Sequence, residues 1–219
     1  MNLKSIYKFS KGKLSGESTG HDWSHALRVE KNALKIMPAG LSRSEKEIIK
    51  AASWLHDTID PKLSDARRSS ISDIKLELKK AHASSKEIDE ILYIIQNLSY
   101  SKNLERSRSL SLVGQIVQDA DRLDALGAIG IARTFYYGGS KDHVLYNEKN
   151  ARRKNELTEE NYREQDSIIN HFHEKLLFLK DAMNTPLAKE IVDKRTIFME
   201  EFLVQFNEEI GFKNNPNNF

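Results

Sequence analysis

The chain contains no cysteine, which removes disulfides, thiolate nucleophiles and cysteine-ligated zinc or iron-sulfur sites together, so any metal must be held by histidine and carboxylate. Only four prolines and ten glycines occur in 219 residues, and alternating β-branched stretches are scarce. A sheet is therefore excluded in favour of an all-α protein. No apolar run is long enough to cross a bilayer, and no sustained apolar stretch follows Lys4, so neither a membrane partner nor a secretory signal is expected and a cytoplasmic address is the default. The charge is also balanced, with 34 basic and 32 acidic residues. That argues against a polynucleotide partner, and the short runs Arg67-Arg68 and Arg152-Arg153-Lys154 read as solvated surface. Internal repeats, a P-loop, a dinucleotide fingerprint and a Ser/His/Asp context are all missing.

What remains is a set of helical periods. They predict helices near 1–11, 22–37, 43–58, 71–81, 85–97, 109–135, 161–183 and 186–209. Ser42 before Glu45 and Ser85 before Ile88 read as entry caps, and Thr185-Pro186 places proline in a first turn, where its missing donor costs nothing. Residues 12–20, 97–108 and 138–160 read as loops. The last starts at Gly138-Gly139, is mostly charged and is long enough to cover a bound ligand. The length fits one domain over 1–213 with a disordered tail over 214–219.

The polar residues that interrupt the apolar stripes carry the chemistry. His25, Val29, Ala33 and Ile36 share one helical face; Ile49, Ala52 and His56 share another, with Asp57 one step round it; Asp121 lies four residues beyond Val117. Any one such histidine is more often a hydrogen-bonded core residue than a ligand. Three inward-facing polar groups on three helices are costly unless they satisfy one another, and a divalent cation does so most economically.

His25, His56, Asp57 and Asp121 form a mixed nitrogen and oxygen set that leaves positions open to water or substrate. It does not choose among Mn, Fe, Co, Ni and Zn, and magnesium would accompany the substrate. A cation there would lower the pKa of bound water and polarise a phosphoryl oxygen, so hydrolysis of a phosphate ester or anhydride follows. Asp60, four residues after His56, falls on the same helical face and is the candidate catalytic base; a bare helix-end carboxylate beside Pro61 is the equal alternative. Arg28, Lys62 and Lys102 are candidates to hold phosphate. Asp124 is a candidate for a sugar hydroxyl or for supporting the ligands. His171 is favoured over His173 as the ring facing the site.

The pattern H…HD…D formed by His25, His56-Asp57 and Asp121 resembles that of the HD-domain metal-dependent phosphohydrolases. The local forms HDWSHALRV, LHDTID, LSYSKN, QDADRLDALGAIGIARTFYYGG and HFHEKLLFLKDAMNT resemble a small bacterial subfamily of single-domain HD hydrolases over almost the whole chain. The resemblance implies an all-helical HD domain with its metal between helices. It also implies a small-molecule nucleotide substrate, a nucleoside triphosphate cleaved to monophosphate and pyrophosphate. The alternatives are a 5′-nucleotidase or another phosphoester hydrolase and, outside enzymes, a metal-binding helical interaction module. Two departures weigh on the substrate. The related (p)ppGpp hydrolases carry two acids after the HD step where this chain has Asp60 and Pro61, and similar 5′-deoxynucleotidases have Glu at the position of Asp60. No GYP-type sequence follows the HD step, which argues against cyclic dinucleotide cleavage.

Overall fold

The computed structural model describes residues 1–16, 20, 22–61, 63–98, 109–147 and 167–211. Among them are nine α-helices and no strand: α1 (Leu3–Leu14), α2 (Trp23–Ile36), α3 (Arg43–Leu55), α4 (Ile71–Lys80), α5 (Ser85–Asn97), α6 (Leu112–Asp124), α7 (Gly127–Ser140), α8 (Ile168–Glu174) and α9 (Pro186–Glu209). Two 3-10 turns, His56–Ile59 and Leu176–Ala182, complete the regular structure. The all-α expectation is met. No helix among the described residues is long and apolar enough to cross a membrane.

The chain divides into two compact units, Met1–Asp121 and Arg122–Phe219, the second described to Gly211. In the first, α3 is the central helix and packs against α1, α2 and α5. Its residues Ile48, Ile49, Ala51, Ala52, Ser53, Trp54 and Leu55 are all buried, so it is enclosed on nearly every side. Serine caps open its helices reciprocally: Ser42 with Glu45, Ser70 with Asp73 and Ser84 with Glu87. Each cap pairs two otherwise orphaned backbone donors with side-chain oxygens. The cap of α5 is thus Ser84, one residue before the Ser85 expected, because only Ser84 stands three positions ahead of an acid.

The second unit is built on aromatic packing. Phe172 stacks on Phe202 with ring centroids 6.0 Å apart, Phe135 meets Phe202 edge-on at 5.8 Å, and Phe206 lies 6.0 Å from Phe202. These rings join α7, α8 and α9, and such pairs add to the area they bury.

Three predicted elements end or divide at residues other than those expected. The single helix expected over 109–135 is two, because Leu126 is extended and Gly127 has a φ of +71°, a conformation that a side chain strains. The loop expected from Gly138 begins instead after Ser140: both glycines are helical, and Gly138 lies so close to Ile168 that an added Cβ would stand 2.4 Å from its side chain. The helix expected to 183 is α only as far as Glu174 and 3-10 from Leu176. Residues 148–160 and the tail over 214–219 lie outside the described residues.

Candidate metal centre

The site is assembled in the first unit from three helix ends. His25 stands in the first turn of α2, where the N-cap Asp22 accepts the His25 backbone N–H at 2.8 Å. His56 and Asp57 open the 3-10 turn that continues α3. Asp121 occupies the last turn of α6. His25, His56 and Asp57 are buried, and the side chain of Asp121 keeps 34% of its exposure, which opens the cluster to solvent on that side.

The side chains of His25, His56 and Asp121 converge, and Asp57 reaches both rings, with a different carboxylate oxygen to each. His25 Nε2 lies 3.2 Å from His56 Nε2, 3.2 Å from Asp57 Oδ2 and 3.4 Å from Asp121 Oδ1. His56 Nε2 lies 3.3 Å from Asp57 Oδ1 and 3.8 Å from Asp121 Oδ1. Ligand atoms around one ion at bond lengths of about 2.1 Å are separated by about 3.0–3.4 Å in octahedral or tetrahedral geometry, so the spacing is that of a coordination shell. His56 Nδ1 is 2.9 Å from the Ser53 carbonyl. A carbonyl only accepts, so Nδ1 carries the proton and a neutral ring turns a bare Nε2 lone pair inward.

The charge of the set points the same way. Desolvation raises the Asp121 carboxyl pKa and the neighbouring Asp57 adds to that, but when the rings are protonated the hydrogen bond from His25 and the positive charge of both imidazoles outweigh them and hold it below the ordinary carboxylate value. Positive charge at this point, whether ring protons or a cation, therefore stabilises the carboxylate. Two carboxylates and two imidazoles within this small volume are the complement of a divalent cation. His25, His56 and Asp121 by themselves already place one ligand atom each within 4.8 Å of one another.

Asp60 sits elsewhere than expected. The α-helix stops at Leu55 and the 3-10 turn at Ile59, so Asp60 leaves the helical face of His56 and caps the turn in extended backbone, φ −64° and ψ 131°. Pro61 is the physical cause, since the residue before proline is driven out of the helical region. The loop that follows is closed by Ser69 N–H donating to the Thr58 carbonyl at 2.7 Å. Leu63 anchors it against Leu14, Ala26 and Trp23, and Ala26 is next to His25.

Of the expected phosphate holders, Arg28 is half-buried on α2 and donates to Ser24 Oγ at 3.1 Å, while Lys62 and Lys102 lie outside the described residues. Asp124 is buried in the second unit with its carboxylate 2.9 Å from Arg133. His171 is half-buried on α8 in the same unit.

Two groups around the site were not legible as such from spacing alone. Asn32, seven residues after His25 and on its face, donates to the Ala120 carbonyl at 3.2 Å. Trp54 Nε1 donates to Glu30 at 2.7 Å. A polar residue at i+7 from a candidate ligand was the available signal for the first.

The HD domain family model matches residues 22–126, a span that contains His25, His56, Asp57 and Asp121. YpgQ of Bacillus subtilis is 37% identical over 198 residues, 90% of this chain and 88% of YpgQ. The crystal structure of YpgQ in complex with ADP matches with a TM-score of 0.77 and 34% identity over 96% of this chain and 95% of that one. A Lactobacillus plantarum structure matches with a TM-score of 0.85 and 37% identity, covering 96% and 97%. An HD-superfamily hydrolase from Bacillus thuringiensis matches with a TM-score of 0.71 and 36% identity, also covering 96% and 97%. The chain belongs to the HD-domain superfamily of metal-dependent phosphohydrolases.

Proposed function

We propose that this phosphohydrolase acts on nucleotides, cleaving a nucleoside triphosphate to monophosphate and pyrophosphate. The observation that supports the reading is the grouping of His25, His56 and Asp121, with one ligand atom each within 4.8 Å of the others, and the approach of Asp57 to both rings. The complex of the similar YpgQ with ADP supports a nucleotide as the ligand class.

In this reading the four side chains hold one divalent cation, from Mn, Fe, Co, Ni or Zn, with magnesium arriving on the substrate. When bound, such an ion supplies Lewis-acid polarisation of a phosphoryl oxygen and an acidified water. Asp60 accepts the proton of the attacking water as its oxygen bonds to the α-phosphorus, and the bond to the bridging oxygen breaks to release pyrophosphate. Arg28, with Lys62 and Lys102, neutralises the phosphate oxygens.

The test is a screen of nucleoside mono-, di- and triphosphates with each divalent ion, reading orthophosphate and pyrophosphate separately. The expected result is pyrophosphate from triphosphates. Orthophosphate from monophosphates would replace the proposal with a 5′-nucleotidase, and release from no nucleotide would overturn the substrate class.

A further inference from the structure

The ligands of the centre come from three separate helix ends, so their spacing depends on how those helices are held in register. For α2 and α3 the register is marked by Trp54 Nε1 donating to Glu30 at 2.7 Å. Trp54 stands two residues before His56, and Glu30 five after His25. For α6 the two ends are held differently. Near its start the helix leans on α5: Ser111 donates to Glu90, a Cβ at Gly114 would come within 3.2 Å of Ile94, and Gln118 reaches the Leu98 carbonyl at 3.4 Å. At the end that bears Asp121, the Asn32 side-chain amide from α2 donates to the carbonyl of Ala120 at 3.2 Å.

That bond is placed where it has most effect on the centre. Ala120 precedes Asp121, and its peptide is fully buried. A helical carbonyl keeps a second lone pair beyond its own intrahelical bond, so Asn32 can hold it without unwinding α6. Asn32 is on the His25 face of α2, two turns along. The amide therefore links the helix of one ligand to the backbone next to another, and ligand positions matter to about 0.2 Å in a metal site.

We infer that Asn32 is a positioning residue for the metal centre, fixing the separation of His25 and Asp121 while touching neither ion nor substrate. The inference rests on the proposed metal-binding role of those two residues and adds a determinant of affinity outside the ligand set.

The experiment is titration of the metal-free protein with Mn2+ alone, followed by calorimetry or by the electron paramagnetic resonance of the free ion. The chains compared are wild type, Asn32→Ala, Asn32→Asp, Gln115→Ala and Asp121→Ala. Supporting groups around metal ligands typically contribute 10–100-fold in affinity, so both Asn32 variants should bind Mn2+ about 10–100-fold more weakly. Asn32→Asp should be at least as weak as Asn32→Ala, because an isosteric carboxylate cannot donate to a carbonyl. Turnover should recover toward wild type as Mn2+ is raised to saturation, a rescue that simple loss of fold would not give. Gln115→Ala removes a side-chain bond to the Leu110 carbonyl at the other end of α6 and should leave affinity unchanged. If Asn32→Ala does not fold, Asn32→Asp, which keeps the shape, gives the reading. Wild-type affinity in the Asn32 variants, with or without a lower melting temperature, overturns the positioning role while Asp121→Ala still loses the ion. A wild-type chain that takes up neither Mn2+ nor, in the same titration, Fe2+, Co2+, Ni2+ or Zn2+ overturns the metal reading and this inference with it.

Discussion

Two clusters, one in each unit, are of opposite character. In the second, the buried ring of Phe172 packs among the half-buried rings of Phe135, Phe202 and Phe206; in the first, His25, His56, Asp57 and Asp121 bring ring nitrogens and carboxylate oxygens close together. Aromatic rings in contact have their interactions complete, since dispersion and edge-to-face attraction need nothing from outside. A buried set of acceptors does not, because desolvation is offset only by a cation or a donor. The lesson is that a buried ring among rings is satisfied by its packing, whereas a buried group of acceptors points to a ligand still to come.

Mutation should therefore separate the two clusters. The largest effect is expected from His56→Ala or Asp121→Ala: loss of the bound ion and of hydrolysis down to background, measured by metal analysis and by pyrophosphate release, with a folded circular dichroism spectrum. Full stoichiometry in both variants would end the ligand assignment. Next in size, Asp60→Asn should lower turnover by about 100- to 10,000-fold, the usual range for a positioned acid-base group, and leave metal content near normal. An unchanged rate would remove Asp60 from the reaction.

The aromatic cluster should answer in the opposite sense. Phe172→Ala deletes a fully buried ring and should cost about 3–5 kcal/mol of stability, read from denaturant unfolding, while Mn2+ stoichiometry in the folded fraction stays at wild type. If stoichiometry falls as well, the contrast between the units fails.

The smallest effect concerns pH. Desolvation by burial pushes the His173 imidazole below its ordinary value, against a weaker upward pull from Glu174. The folded ring resists a proton that the unfolded ring accepts, so below about pH 6.5 the unfolded chain binds more protons. Stability from this ring is fully present above that pH and is lost as the pH falls toward the folded value. The melting temperature of His173→Gln should fall less steeply than that of wild type between neutral and mildly acid pH. Parallel curves would show that the ring is not desolvated in solution.

Much of this was legible in the chain before any coordinates. Apolar period located α2, α3, α5 and the start of α6, and polar interruptions of the same period located His25, His56 and Asp121, because a residue facing the core must be either apolar or partnered. Backbone breaks were harder to read. Gly127 divides a helix that the apolar pattern alone continues, and Pro61 removes Asp60 from the face that a simple count of four residues assigns to it. Gly138 was misread in the other direction: glycine permits a turn but also permits close approach, and Ile168 pressing on the helix is a contact with a residue thirty positions away.

Composition and period by themselves determined the helical class, the exclusion of thiolate chemistry and the residue types available to a metal, since these follow from which side chains exist and from their spacing along one helix. Tertiary structure alone decided that the two histidines lie 3.2–3.8 Å from each other and from the two carboxylates, that a serine carbonyl sets the tautomer of His56, and that Asn32 meets the backbone beside Asp121. Those are distances between segments far apart in the chain, and they are set by the packing of whole helices, which no local period encodes.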